Sequence, residues 1–178
     1  MIYLFLADGF EEIEALTTVD ILRRAGCSLA TVGVGGKRIT GSHHIEVTAD
    51  LEIGEADLSS PDMVILPGGP GHKNLEKSSL VLAAVQYCAD HDKYIAAICA
   101  APSILGHMGL LKNHSATCFP GYEEELHAKA VSKDAVCVSG KIITGKGAGV
   151  TVDFALKIVE VLYGAEKSNT LRKNIQCM

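Results

Sequence analysis

Cys99 is the residue in this chain whose neighbours most favour covalent chemistry. It ends the run Tyr94-Ile95-Ala96-Ala97-Ile98 and is followed by Ala100-Ala101-Pro102. A short apolar run bounded in this way reads as a buried strand, and a proline suits the first turn of a helix. A strand turning sharply into a helix lifts one side chain out of the sheet, as in a nucleophile elbow, and only small residues fit beside it. Unpaired N–H groups at the helix start would favour a thiolate, so this context predicts a lowered thiol pKa. The Ala100 N–H would face an oxyanion on a carbon bound to the sulfur. A strand-end cysteine without such a context is ordinarily a small buried hydrophobe.

Two further segments strengthen the chemical reading. Leu66-Pro67-Gly68-Gly69 places two glycines after another apolar run, where backbone can approach a ligand closely and offer a second oxyanion donor. Asp8-Gly9-Phe10-Glu11-Glu12-Ile13-Glu14 opens a helical pattern. Glu11 and Glu12 suit a solvated first turn, whereas Glu14 borders the apolar stripe. A carboxyl there is predicted to have a raised pKa and to donate to a thiolate or shuttle a proton.

The elements that must position these groups follow from the periodicity. Strands are expected at Ile2–Leu6, Cys27–Val34, Ile45–Thr48, Asp62–Leu66 and Tyr94–Ile98, with a hairpin of Ala135–Val138 and Lys141–Thr144 about Ser139-Gly140. Helices are expected at 10–25, 79–91, 102–108 and 151–162, with a short terminal helix after Gly164. Continuously apolar strands alternating with helices specify an α/β fold whose mostly parallel sheet is covered on both faces. Such sheets place their sites at the carboxyl ends of the strands. The turns after Leu66, Ile98 and Thr144 all fall there.

Composition narrows the classes. The chain has 178 residues, 48% of them apolar and 21% charged, with a formal net charge of -5. That length suits a single domain spanning 1–178. The acidic balance, with only Arg23-Arg24 as a dense basic pair, argues against nucleic-acid binding. No apolar run approaches the length of a membrane span or a signal-peptide core, so a cytoplasmic protein without a membrane partner is expected. The six cysteines form no Cys-x-x-Cys pair, and a reducing compartment would leave them as free thiols.

Other motifs are weaker. Gly145-Lys146-Gly147-Ala148-Gly149 lacks the Gly-x-Gly-x-x-Gly spacing of a dinucleotide site, so it reads as a structural turn near the pocket. His43 and His44 are adjacent, which in a strand sends them to opposite faces. No metal and no cofactor are expected. Cys118 is the one remaining cysteine expected to lie near Cys99.

Taken together, these segments closely resemble the ThiJ/PfpI superfamily, in its Parkinsonism-associated deglycase and bacterial ThiJ-like branch. The resemblance covers nearly the whole chain. It rests on the 8–14 segment, on Val19-Asp20 with Arg23-Arg24-Ala25-Gly26, on Leu66-Pro67-Gly68-Gly69, on Ala96-Ala97-Ile98-Cys99-Ala100 and on Gly145–Gly149 through Phe154-Ala155. It implies a flavodoxin-like three-layer sandwich and a homodimer. It implies that Cys99 is the reactive, oxidisable cysteine and Glu14 its acidic partner. Gly68, Gly69 and Ala100 would line the site, and Arg24 would sit near the dimer interface and an anion site.

The function implied is a cofactor-independent thiol enzyme acting on a small reactive carbonyl, converting methylglyoxal to lactate or removing early glycation adducts. The alternative is a redox-sensing stress protein or chaperone built on oxidation of Cys99. Two departures from the family pattern bear on chemistry. Thr117-Cys118-Phe119-Pro120 has Phe119 where some members carry a histidine, which removes an obvious general base. Ala100 stands where the protease-like branch has a histidine, and no His-x-Glu follows residue 127, so amidase and peptidase readings are weak.

Overall fold

The computed structural model describes residues 1–177. The chain opens with β1 (Ile2–Ala7), α1 (Glu12–Arg24), β2 (Leu29–Val34) and the antiparallel pair β3 (Arg38–Thr40) and β4 (Glu46–Thr48). It continues through β5 (Leu51–Glu52), β6 (Met63–Leu66), α2 (His72–Lys77), α3 (Ser79–Asp90), β7 (Tyr94–Ile98) and α4 (Pro102–His107). The last part contains β8 (Ser115–Ala116), β9 (Ala130–Val131), β10 (Val136–Ser139), β11 (Ile142–Gly145), α5 (Thr151–Tyr163) and α6 (Ala165–Asn174).

Seven strands form the central sheet in the order β10-β11-β7-β6-β1-β2-β5. All neighbours are parallel except the β10–β11 hairpin. Strand residues alternate between faces. Ile2, Leu4 and Leu6 of β1 pack in one core with Ala15, Val19 and Leu22 of α1, Phe154 and Ile158 of α5, and Leu171 of α6. Tyr3, Phe5 and Ala7 pack in the other with Leu75 of α2, Val81 and Val85 of α3, and Ile104 of α4. Both faces being covered is why the strands read as unbroken apolar runs. Omitting edge strands, the order β2-β1-β6-β7-β11 is that of a flavodoxin-like sheet, whose ligand crevice lies at the carboxyl ends of its central strands.

The expected elements are present with ends shifted by a few residues, and five go beyond the sequence pattern. β3, β5, β8 and β9 are two or three residues long, too short to show alternation. α2 has six residues and follows Pro67-Gly68-Gly69-Pro70-Gly71 directly, so its single turn is hidden behind breakers. Among the described residues, no helix is long and apolar enough to cross a membrane.

The α1–α5 face holds the carboxyl ends of β7 and β11 in place. Phe154 is fully buried, and a Cβ on Gly145 would stand 2.9 Å from its ring and 3.0 Å from Ile98. Phe154→Ala is therefore expected to destabilise the protein by about 3–5 kcal/mol, read as a lower urea midpoint.

Candidate active site

The turns after β1, β6 and β7 meet at one end of the sheet. Cys99 has φ +66°, a left-handed conformation that few side chains other than glycine adopt. Such a backbone costs of order 1–2 kcal/mol and persists only when neighbours hold it. Here the Cys99 N–H donates to the Gly145 carbonyl (2.9 Å), and the Cys99 carbonyl accepts from the Phe119 N–H (2.8 Å). Ser103, in the first turn of the following helix, donates its hydroxyl to the Ala100 carbonyl at 2.7 Å. The elbow expected from the sequence is thus fixed from three directions.

Glu14 comes up beneath the sulfur from α1. It is 1% exposed, and its Oε2 accepts the Gly68 N–H at 2.8 Å. Oε1, equally buried, has no hydrogen-bond partner. Glycine is required at position 68, since a Cβ there would stand 2.6 Å from Cys99 Cβ and 2.8 Å from Glu14 Oε2. At Gly69, φ is +77°, and a Cβ would meet the Gly9 carbonyl at 2.6 Å. The Gly69 and Ala100 N–H groups face the sulfur and favour its charged form.

The electrostatics of this pair differ from the expectation for the thiol alone. Burial pushes the Glu14 carboxyl up to about 7, against the opposing hydrogen bonds of Cys99 and Gly68. Burial, followed by the negative charge of an ionised Glu14, pushes the Cys99 thiol up to about 12. The lowered thiol pKa predicted from the elbow is therefore corrected, because the helix start is not the dominant influence. The two groups titrate as one unit that holds a single proton over a wide pH range. An ionised carboxylate would leave Oε1 buried without a donor, whereas a proton on the carboxyl would leave the charge on a sulfur beside the Gly69 and Ala100 N–H groups.

The sulfur opens into a cavity of about 310 Å³ lined by Gly69, Pro70, His72, Cys99, Phe119 and Tyr122, among others. A larger cavity of about 520 Å³ at the opposite end of the sheet, by Tyr94, His114 and Lys141, contains no cysteine. Cys99 is half-buried, whereas Cys27, Cys88, Cys118 and Cys137 are buried. Cys118 does not line this cavity, so Cys99 is the thiol a ligand there meets.

Several expected residues fall elsewhere or act differently. Gly68 holds Glu14 rather than lining the cavity. Arg24 lies ten residues beyond Glu14, about 15 Å along the helix axis, paired with Asp20 at 2.7 Å and exposed. Within one chain it does not reach the sulfur. Glu12 is buried instead of solvated, because the β3–β4 hairpin folds over the start of α1. Its Oε1 accepts the His43 N–H at 2.7 Å. Burial acts to raise its pKa, but hydrogen bonds from His43, its own backbone N–H and Ser42 outweigh it and leave the carboxyl at about 2. Among the described residues, Glu11, Glu12 and His43 bring three possible metal-ligand atoms within 4.8 Å of one another, where they already bond one another and Ser42.

His72, at the start of α2, escaped the sequence reading. It is 4% exposed, its Nδ1 lies 2.8 Å from the Gly69 carbonyl, and its ring meets Tyr122 edge-on at 5.6 Å. The available signal was a histidine immediately after the glycine turn at a strand's carboxyl end.

Comparisons with known proteins find relatives along nearly the whole chain. The profile of the DJ-1/PfpI family matches residues 1–161. "Protein DJ-1 homolog B" of Arabidopsis thaliana is 36% identical over 171 residues, 94% of this chain, and the chain spans only 39% of that relative's length. "Glutathione-independent glyoxalase DJR-1.2" of Caenorhabditis elegans is 31% identical over 165 residues, covering 92% of this chain and 88% of the relative. The structure of oxidized Toxoplasma gondii DJ-1 superposes with a TM-score of 0.94 at 32% identity, covering 98% of this chain and 97% of the other.

The raised Glu14 pKa links folding to pH. The folded Glu14–Cys99 pair gives up its first proton at about 7, whereas the unfolded carboxyl gives up its own at 4.5, so this contribution is full below pH 4.5 and is lost as pH rises through 7. Wild type is expected to lose roughly 3 kcal/mol from this source between pH 4.5 and 8. Glu14→Gln should abolish that part of the slope in urea unfolding at a series of pH values.

Proposed function

The chain belongs to the DJ-1/PfpI family, and on that premise we propose that it is a cysteine-dependent, cofactor-independent enzyme acting on small reactive carbonyls. The observation that carries the reading is the buried Glu14–Cys99 pair opening into a small cavity with two N–H groups at the sulfur. The relative named as a glutathione-independent glyoxalase supports the same class of substrate.

The chemistry takes the shared proton on Glu14 and the charge on the sulfur. The Cys99 thiolate adds to the aldehyde carbon of a 2-oxoaldehyde, and the carbonyl electrons move onto oxygen, held by the Gly69 and Ala100 N–H groups. Glu14 gives its proton to that oxygen, completing a hemithioacetal. The resulting carboxylate takes the proton from the former aldehyde carbon, forming an enediolate. It returns a proton to the neighbouring carbon, and the hydroxyl proton on the sulfur-bearing carbon passes to the neighbouring oxygen, which leaves a thioester. Water then releases the hydroxy acid and the thiolate. A glycation hemiaminal presents the same carbon and oxygen to the same groups.

A second reading is favoured by one feature. A sulfur with two N–H donors on one side and a carboxyl on the other also accommodates the oxygens of a sulfinate, so stoichiometric peroxide sensing uses the same atoms.

The partner proposed is a second copy of the chain. α1 exposes Ile13 (54%) and Leu16 (37%), and the adjacent hairpin exposes Ile45 (51%). Grouped apolar side chains of this kind on a solvent face suit a symmetric interface. Such pairing would also bring a second copy's α1, with Arg24, alongside the first. Ile13→Glu is expected to yield monomer in sedimentation velocity, where wild type sediments as a dimer.

The test of function is methylglyoxal loss and lactate formation without glutathione. Wild type is expected to turn over many times, Cys99→Ser to stop, and Glu14→Gln to fall by about 10²–10⁴-fold. Wild type consuming no more than Cys99→Ser would falsify the enzyme reading and leave peroxide sensing.

A further inference from the structure

The carbonyl reading leaves one step without a residue. Hydrolysis of the thioester needs a base on the open side of the sulfur, because Glu14 lies on the buried side. Phe119 lines the cavity beside Cys99, and a phenyl ring takes no proton.

We propose that His72 is the general base that activates water against the Cys99 thioester, a role carried in this chain by α2. The assignment rests on the reactive-carbonyl reading and extends it to the step that closes the cycle.

The geometry determines which nitrogen acts. A carbonyl oxygen only accepts, so the 2.8 Å contact with Gly69 requires the proton on Nδ1. In the neutral ring, Nε2 then carries a free lone pair. Among the described residues, Nε2 has no hydrogen-bond partner, and it is not among the fully buried unpartnered atoms. The residue is otherwise enclosed and lines the same cavity as Cys99, so Nε2 is left to the cavity. Two contacts hold the ring: Gly69 fixes one edge, and Tyr122 stands at 84° to its plane.

Gly69 links the two functions, since its carbonyl orients His72 while its N–H faces the sulfur. That same carbonyl also accepts the His72 backbone N–H at 3.1 Å. A base placed through the peptide that supplies an oxyanion donor is aligned with the carbon under attack.

The step balances without a further reactant. Nε2 takes a proton from water as the oxygen bonds to the thioester carbonyl carbon, whose electrons move onto the oxyanion. The oxyanion collapses, the carbon–sulfur bond breaks, and its electron pair returns to Cys99 as thiolate. The acid's own proton restores Glu14, and the proton on His72 leaves through the cavity mouth.

The experiment follows the acyl-enzyme. Wild type, His72→Gln, His72→Ala and Cys99→Ser are mixed with methylglyoxal, quenched in acid and weighed intact. His72→Gln is expected to consume about one equivalent in a burst and then to turn over about 10²-fold more slowly. One substrate equivalent should accumulate on Cys99, released by hydroxylamine as a hydroxamate, which marks a thioester and not a hemithioacetal. Imidazole added to His72→Ala should restore turnover by entering the vacated space. Wild-type turnover in His72→Gln, or slow turnover with no thioester, overturns the assignment while leaving the Cys99 reading intact. Wild type that forms no lactate overturns both.

Discussion

A buried carboxyl that cannot comfortably ionise is the constraint around which this end of the molecule is organised. Glu14 sits in the interior with one oxygen held by the Gly68 N–H and the other without a protein donor. Removing an ionised carboxylate from water without full hydrogen bonding is costly, and transferring the charge to a sulfur with two N–H groups beside it relieves that cost. In the proposed chemistry the shared proton sits on Glu14, ready for an oxygen or carbon bound to the sulfur. The activation of Cys99 is thus a property of the pair.

The fold supplies that pair through three tight approaches. α1 must run close enough to the β6 turn to place Glu14 under it, which excludes any side chain at Gly68. Gly69 must face its N–H to the sulfur while its backbone presses on the Gly9 carbonyl, which again leaves no room for a Cβ. Cys99 must adopt a left-handed backbone, and hydrogen bonds from β11 and from the segment after β8 stabilise it. A parallel sheet with both faces covered gives rigid strand ends at which loops from β1, β6 and β7 converge, so the strain is distributed over the whole core.

Much of this was legible in the amino-acid sequence. The elbow at Cys99, the paired glycines and the border position of Glu14 each leave a local signature, because a tight turn restricts residue size and a buried helix face restricts polarity. What was not legible depended on packing between distant segments. Glu12 looks solvated on its own helix and is covered only because residues 38–48 fold back across it. Arg24 carries the right type and motif, yet the length of α1 separates it from the sulfur in the same chain. His72 was obscured because α2 is a single helical turn behind two prolines and three glycines, and the orientation of its ring comes from a carbonyl three residues earlier. The thiol pKa was misjudged for a related reason, since the nearest charge belongs to a residue 85 positions away.

The placement of the shared proton is tested most directly by infrared difference spectroscopy near pH 8, with Glu14→Gln assigning the carboxyl band and ultraviolet absorbance following the thiolate in the same samples. The pair as described predicts a protonated Glu14 C=O stretch, absent from Glu14→Gln, together with a thiolate band that disappears in Cys99→Ser. A carboxylate band for Glu14 with Cys99 in its thiol form would contradict it, and would place the charge on the buried oxygen that has no donor.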